Sequence, residues 1–179
     1  MNQQLAWFWR PSIRLALLAV LTALVTVLTI IIEIPVPATQ GYINLGDVGV
    51  FLSGLLMGPL GGLAGGLGSA LADAALGYFQ YVPITLIVKG FQATLTGTIF
   101  WIWKPFQKVE FRLALALLVG SIVMVTGYLL GEAVMVGLAA AVIEVPGNLF
   151  QVTFGSILAA ITFISIDRIF FITKKNDTG

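Results

Sequence analysis

Long apolar runs separated by short polar links set the pattern of this chain. The first run, residues 12–32, follows Pro11, which suits a first helical turn. Trp7, Phe8 and Trp9 before it suit a membrane interface. Pro35 and Pro37 end it, because two prolines two apart cannot continue a helix. Residues 33–46 then read as a polar, extended loop containing Tyr42, Asn44 and Gly46. Asp47 stands where it can cap the next helix. The following run is interrupted by Gly58-Pro59 and predicts a short helix over 48–57, a tight reversal, and a third helix over 60–76. One long kinked helix there would invert every later loop. Tyr78, Phe79, Tyr81 and Pro83 mark an aromatic turn, and a fourth span covers 84–103. A basic link at 104–110 leads to a fifth span over 111–143, long enough to need tilt or a break near Gly127 or Gly131. Glu144-Val145-Pro146-Gly147 predicts a last turn, and the sixth span covers 148–171.

The expected fold is therefore an all-α integral membrane bundle of six transmembrane helices, one domain over residues 1–179. The 48–57 helix is too short to cross about 30 Å of hydrocarbon unaided, so it needs bilayer thinning or shielding by neighbours.

Charge adds a direction. Eight of the nine basic residues fall in three clusters: Arg10 and Arg14; Lys104, Lys108 and Arg112; Arg168, Lys174 and Lys175. Six crossings put all three on one side with both termini, which the positive-inside rule makes the cytoplasm. The loop at 33–46 and the turns at 77–83 and 144–147 then face outward.

Composition agrees with lipid as the solvent. The chain is 59% hydrophobic and 9% charged, with a mean hydropathy of +1.03. A soluble domain of this length needs more charge to cover its surface. The net charge of +1, spread over helix ends, carries no nucleic-acid signature. With no cysteine and no histidine, disulfides, thiolate chemistry, the commonest metal ligand and the usual general base are all excluded. No P-loop, H-E-x-x-H or G-x-S-x-G sequence occurs. Neither catalytic residues nor a metal site nor a cofactor is expected.

Polar groups inside the apolar runs supply the candidate chemistry. Lys89 lies about two turns into the fourth span, where an amine must pair, snorkel or meet water. Asp73, Glu132, Glu144, Asn148 and Gln151 fall in the same outer half of the predicted bundle. They are expected to converge on a polar cavity under the first loop, suited to a small, neutral or zwitterionic ring. Tyr42 and Tyr81 are interface aromatics by position, with stacking on a bound ring as the competing role. The blander account is that Lys89 pairs with Asp73 or Glu132 only to join helices. Gly54, Gly58, Gly62 and Gly66 recur every four residues, the spacing of close helix packing in lipid. Ala19 and Ala23, and Gly155 with Ala159, form similar pairs, read as internal packing or as a docking face for another membrane subunit.

Several segments together resemble one family. Asn44-Leu45-Gly46-Asp47, Gly-Leu-Leu-Met-Gly-Pro at 54–59, Gly-Gly-Leu-Gly-Ser-Ala-Leu-Ala-Asp at 65–73, Thr85 through Gly90 and Pro146 through Gln151 are similar to S components of energy-coupling factor (ECF) vitamin transporters. The branch assigned to pyridoxine or hydroxymethylpyrimidine uptake is the nearest in pattern. The resemblance implies a six-helix protein of the bacterial cell membrane that captures a vitamin beneath a first-loop lid. It implies a transmembrane coupling subunit and two cytoplasmic ATPase subunits as partners, with Ala19 and Ala23 facing the coupling subunit. It places the site at Lys89, Glu132, Glu144, Asn148 and Gln151, near the first loop. Lys89 raises an anionic solute such as pantothenate as an alternative. Competing readings are a self-sufficient carrier or channel, and a scaffold subunit without ligand.

Overall fold

The computed structural model describes residues 10–102 and 108–176. Trp7, Phe8, Trp9, Trp103 and Lys104 lie outside the described residues, as do the side chains of Lys174 and Lys175. Helix α1 spans Pro11–Ile31. Strands β1 (Glu33–Val36) and β2 (Gly41–Asn44) follow. Helix α2 spans Gly46–Met57 and α3 spans Gly61–Leu76, with a 3-10 turn over Gly58–Leu60 between them. Helices α4 (Val82–Ile102), α5 (Val109–Met135) and α6 (Leu138–Asn176) complete the chain.

The expectation of six transmembrane helices is corrected. Among the described residues, with α2 and α3 joined, there are five helical stretches, and four have the length and apolar composition to cross a membrane: Pro11–Ile31, Gly46–Leu76, Val109–Met135 and Leu138–Arg168. Two physical causes account for the difference. Helix α2 has 12 residues and reaches only about 18 Å on its own. Helix α4 carries Lys89, Gln92 and four threonines, which dilute its apolar character.

The fold is not purely helical either. The segment expected as an extended loop pairs as an antiparallel hairpin, with Glu33 opposite Asn44 and Pro35 opposite Tyr42. Its turn uses Gln40 at φ 57°, and the Thr39 amide donates to the Val36 carbonyl. A third correction concerns the end of α5. Helix α6 runs through Pro146 without a turn at 144–147, and the break lies at Gly137. Gly137 takes φ 91°, outside the helical range, whereas the helix continues through Pro146 despite the lost bond and the crowding of the carbonyl four residues back.

Packing decides what the glycines are for. Helix α3 lies against α1 and α4, α4 against α5, and α5 against α6, while α2 touches α1, α3, α4 and α6. A Cβ on Gly97 would run into the backbone of Gly58, and one on Gly54 into the Ala93 carbonyl. A Cβ on Gly66 would sit 2.7 Å from the Leu86 carbonyl oxygen. Gly54 and Gly66 of the four-residue stripe thus face α4, and backbone contact replaces side-chain contact along that seam. Phe51, Leu55, Val88, Phe100, Met124, Val152 and Phe163 fill the core between α2, α4, α5 and α6. Leu15 and Val20 on α1, Leu130 and Val134 on α5, and Phe150 and Ile161 on α6 are exposed. Water would penalise that surface and lipid does not.

Candidate substrate-binding site

Helical spacing puts the polar side chains of each helix on one face. On α4, Thr85, Lys89, Gln92 and Thr96 are all buried, at offsets of four, seven and eleven residues. On α6, Glu144, Asn148 and Gln151 share a buried face. On α5 it is Tyr128 and Glu132, and on α3 Ser69 and Asp73. These faces turn inward toward the same end of the bundle, beneath the hairpin.

Asp47 joins three of the helices. Its side chain is fully buried and receives Lys89 Nζ at 2.8 Å, Gln92 Nε2 at 2.6 Å and Gln151 Nε2 at 2.5 Å. The blander alternative, that Lys89 pairs with Asp73 or Glu132, is therefore corrected in its partner, and so is the reading of Asp47 as a helix cap: it sits inside the first turn of α2 and forms no capping bond. Closeness explains the choice, since a Cβ on Gly155 would lie 2.6 Å from Asp47 Cβ, so α6 presses directly on this turn. Lys89 also lies 5.3 Å from the centroid of the Tyr128 ring, and the Tyr128 hydroxyl is 2.9 Å from Thr85 Oγ1.

The hairpin forms the roof through side-chain bonds. Tyr42 donates to Asp73 Oδ1 at 2.7 Å and stacks on Tyr78 with centroids 4.6 Å apart. Tyr78 donates to Glu33 at 2.5 Å. Thr39 donates to Glu144, and Tyr81 donates to the Thr39 carbonyl at 2.9 Å. The Asn44 amide donates to Gln151 Oε1 at 2.8 Å. Tyr42, Thr39 and Asn44 tie the hairpin to helices below, and Tyr78 and Tyr81 tie it to the link after α3.

Electrostatics shows how close the acids lie. The Tyr81 hydroxyl is pushed up to about 12, first by burial and then by the charges of Glu132, Glu144 and Asp73. Tyr42 is raised by burial and by Asp73, which accepts its proton in a hydrogen bond. Tyr78 is held up to about 12 chiefly by its bond to Glu33. Glu132 faces Glu144, so the neighbour of one carboxyl is another.

Of the residues singled out from sequence, Lys89 and Gln151 meet at Asp47, Tyr42 meets Asp73, and Tyr81 and Glu144 meet at Thr39. Asn148 is buried on the same face of α6, one turn from each of its polar neighbours. Ala19 and Ala23 are exposed on α1, away from this cluster. Sequence reasoning missed Asp47, Gln92, Thr39 and Tyr128 as members. The four-three alternation of polar positions 85, 89, 92 and 96 was the signal that could have found Gln92.

One crevice lies apart from the buried cluster and another borders it. A cleft of about 390 Å³ between α5 and α6 is lined mainly by apolar side chains, including Leu118, Ile122 and Val152. A smaller one of about 90 Å³ lies beside the hairpin, with Asn44 and Gln151 on its wall.

A buried polar cluster, roofed by a hairpin and set in a bundle with an apolar exterior, is the arrangement of a multi-pass membrane protein. Residues 12–168 match the family described as ECF-type riboflavin transporter, S component. The chain is 32% identical over 157 residues to the thiamine precursor transporter HmpT of Lactococcus lactis subsp. cremoris (strain MG1363), covering 87% of this chain and 88% of that protein. It is 42% identical over 135 residues to an uncharacterized protein in a gap 3′ region of Pyrococcus woesei, covering 75% and 88% respectively. A solved S component of a bacterial ECF transporter shares the fold, with a TM-score of 0.61 at 22% identity, over 93% of this chain and 99% of that one. The chain belongs to the ECF S-component family. It is a non-catalytic, substrate-binding subunit that captures a vitamin for ATP-driven import, and S components work with membrane coupling and ATPase subunits.

Proposed function

We propose that this chain captures pyridoxine or hydroxymethylpyrimidine, small ring-shaped compounds, with high affinity in the cell membrane of a bacterium. The observation that carries the reading is the buried polar cluster around Asp47 and Lys89, roofed by the hairpin. A ring of that size offers a flat apolar body and a few polar substituents, which suits a pocket with few, fixed polar groups. The likeness to a thiamine precursor transporter at 32% identity supports a ring of this kind. Lys89, Asp73, Glu132, Glu144, Asn148 and Gln151 are the proposed polar contacts, with Tyr42 and Tyr81 at the roof. The pairing of Lys89 with Asp47 removes the reason for favouring an anion such as pantothenate.

The exposed Ala19 and Ala23 are the proposed docking stripe for the coupling subunit, which in turn works with two cytoplasmic ATPases. Small side chains on a lipid-facing helix let a partner helix approach closely. Calorimetry of the purified chain with a vitamin panel, without ATP, tests the reading. Binding of pyridoxine or hydroxymethylpyrimidine with saturable, one-site behaviour supports it, and tight binding of riboflavin alone overturns the choice of ring. Leucine at Ala19 and Ala23 is expected to abolish co-purification of the coupling subunit while leaving calorimetric binding intact.

A further inference from the structure

We infer that the site is selective by charge, because it presents more hydrogen-bond acceptors than its own donors can satisfy. The inference rests on the capture reading above and concerns which ligands that site accepts. Four carboxyl side chains, Asp47, Asp73, Glu132 and Glu144, meet a single ammonium, Lys89, at the roofed end of the bundle. That ammonium is committed to Asp47. Its charge is answered within the protein and does not attract an anion.

The remaining acids are less well supplied. Glu132 is 1% exposed and faces Glu144, so its one polar neighbour is a second acid and no amide, hydroxyl or amine donates to either oxygen. Asp73 is 3% exposed and accepts from Tyr42 through one oxygen, while Thr85, the nearest hydroxyl to the acid, is shared with Tyr128 and leaves Oδ2 poorly supplied. The Gln92 side-chain carbonyl is likewise buried and without a donor. Buried acceptors left unsatisfied are costly, so a ligand that brings N–H or O–H groups relieves them. A ligand that brings further negative charge meets carboxyl groups at short range instead. The acceptable class is a neutral or cationic ring bearing amino or hydroxyl donors, and carboxylated or phosphorylated compounds are excluded. Asp47 is a positioning residue in this scheme: it keeps Lys89 neutralised and holds α2, α4 and α6 together.

Calorimetry on the purified full-length chain tests this with three probes. They are 4-amino-5-hydroxymethyl-2-methylpyrimidine, the same ring without its amino group, and pantothenate as the anion. The aminopyrimidine is expected to bind at least about 10-fold more tightly than the ring without the amine. Pantothenate is expected to bind at least about 100-fold more weakly than the aminopyrimidine. Glu132→Gln combined with Glu144→Gln, which keeps shape and removes the charge of the facing carboxyl pair, is expected to narrow that second ratio. Asp47→Asn is expected to narrow it further by freeing Lys89, and if that variant does not fold, the Glu132→Gln, Glu144→Gln variant is read alone. Equal binding of the two rings, or pantothenate binding as well as the aminopyrimidine, overturns the charge selectivity while leaving vitamin capture standing. Absence of binding by all three and by pyridoxine overturns both.

Discussion

Removing Asp47 from its partners tests the centre of the site directly. The ion pair with Lys89 spans 2.8 Å, with side chains 0% and 3% exposed, so solvent screens it little. Deleting one member of such a pair leaves the other buried and uncompensated, a loss of about 3–5 kcal/mol. Replacing both members by uncharged residues of similar shape is far less damaging, and can be neutral. A double-mutant cycle with Asp47→Asn, Lys89→Met and the combined variant separates these cases. Each single change is expected to cost about 3 kcal/mol or more, and the pair together less than the sum of the two. The expected coupling is about 2 kcal/mol or larger. Stability would be read by denaturant titration of the purified protein in detergent, followed by circular dichroism. Losses that simply add would refute the reasoning, because additivity means the two side chains do not share one interaction.

Three further outcomes follow from other parts of the fold. Gly97→Ala places a methyl against the Gly58 backbone and should cost about 1–3 kcal/mol by overpacking, whereas Gly77→Ala has nothing within 4 Å and should cost only about 1–2 kcal/mol from its φ of 87°. Thermal unfolding of both variants, with binding measured on each, checks whether only the first disturbs the site. Tyr42→Phe keeps the stack on Tyr78 but removes the 2.7 Å bond to Asp73, so amide exchange across residues 33–44 should accelerate by about 10-fold or more. The Tyr78 hydroxyl, held up to about 12 by Glu33 against a usual 10.0, contributes stability fully present below pH 10 and lost as pH rises through about 12. Ultraviolet titration should show that phenol ionising late in the native protein and earlier in Glu33→Gln.

The chain's own order of residues determined that it belongs in a membrane. Runs of apolar residues with 9% charge leave no way to cover a water-facing surface. It also determined which polar residues would be buried, because Lys89, Glu132 and Gln151 stand inside those runs wherever the helices begin and end. Local signals erred where two elements compete for the same break. Pro146 looked like the end of a span, but its φ is compatible with the helix, which continues through it, while the left-handed backbone of Gly137 redirects the chain. The hairpin was hidden because Pro35 and Pro37 argue against a strand, yet an isolated two-stranded edge tolerates Pro35. Only tertiary packing decided who meets whom. Asp47 is 42 residues from Lys89 and 104 from Gln151, so neither helical period nor composition could have joined them. Their partnership comes from glycine seams that bring α2 close to α4 and α6, near enough that the carboxylate of one turn satisfies donors from two other helices.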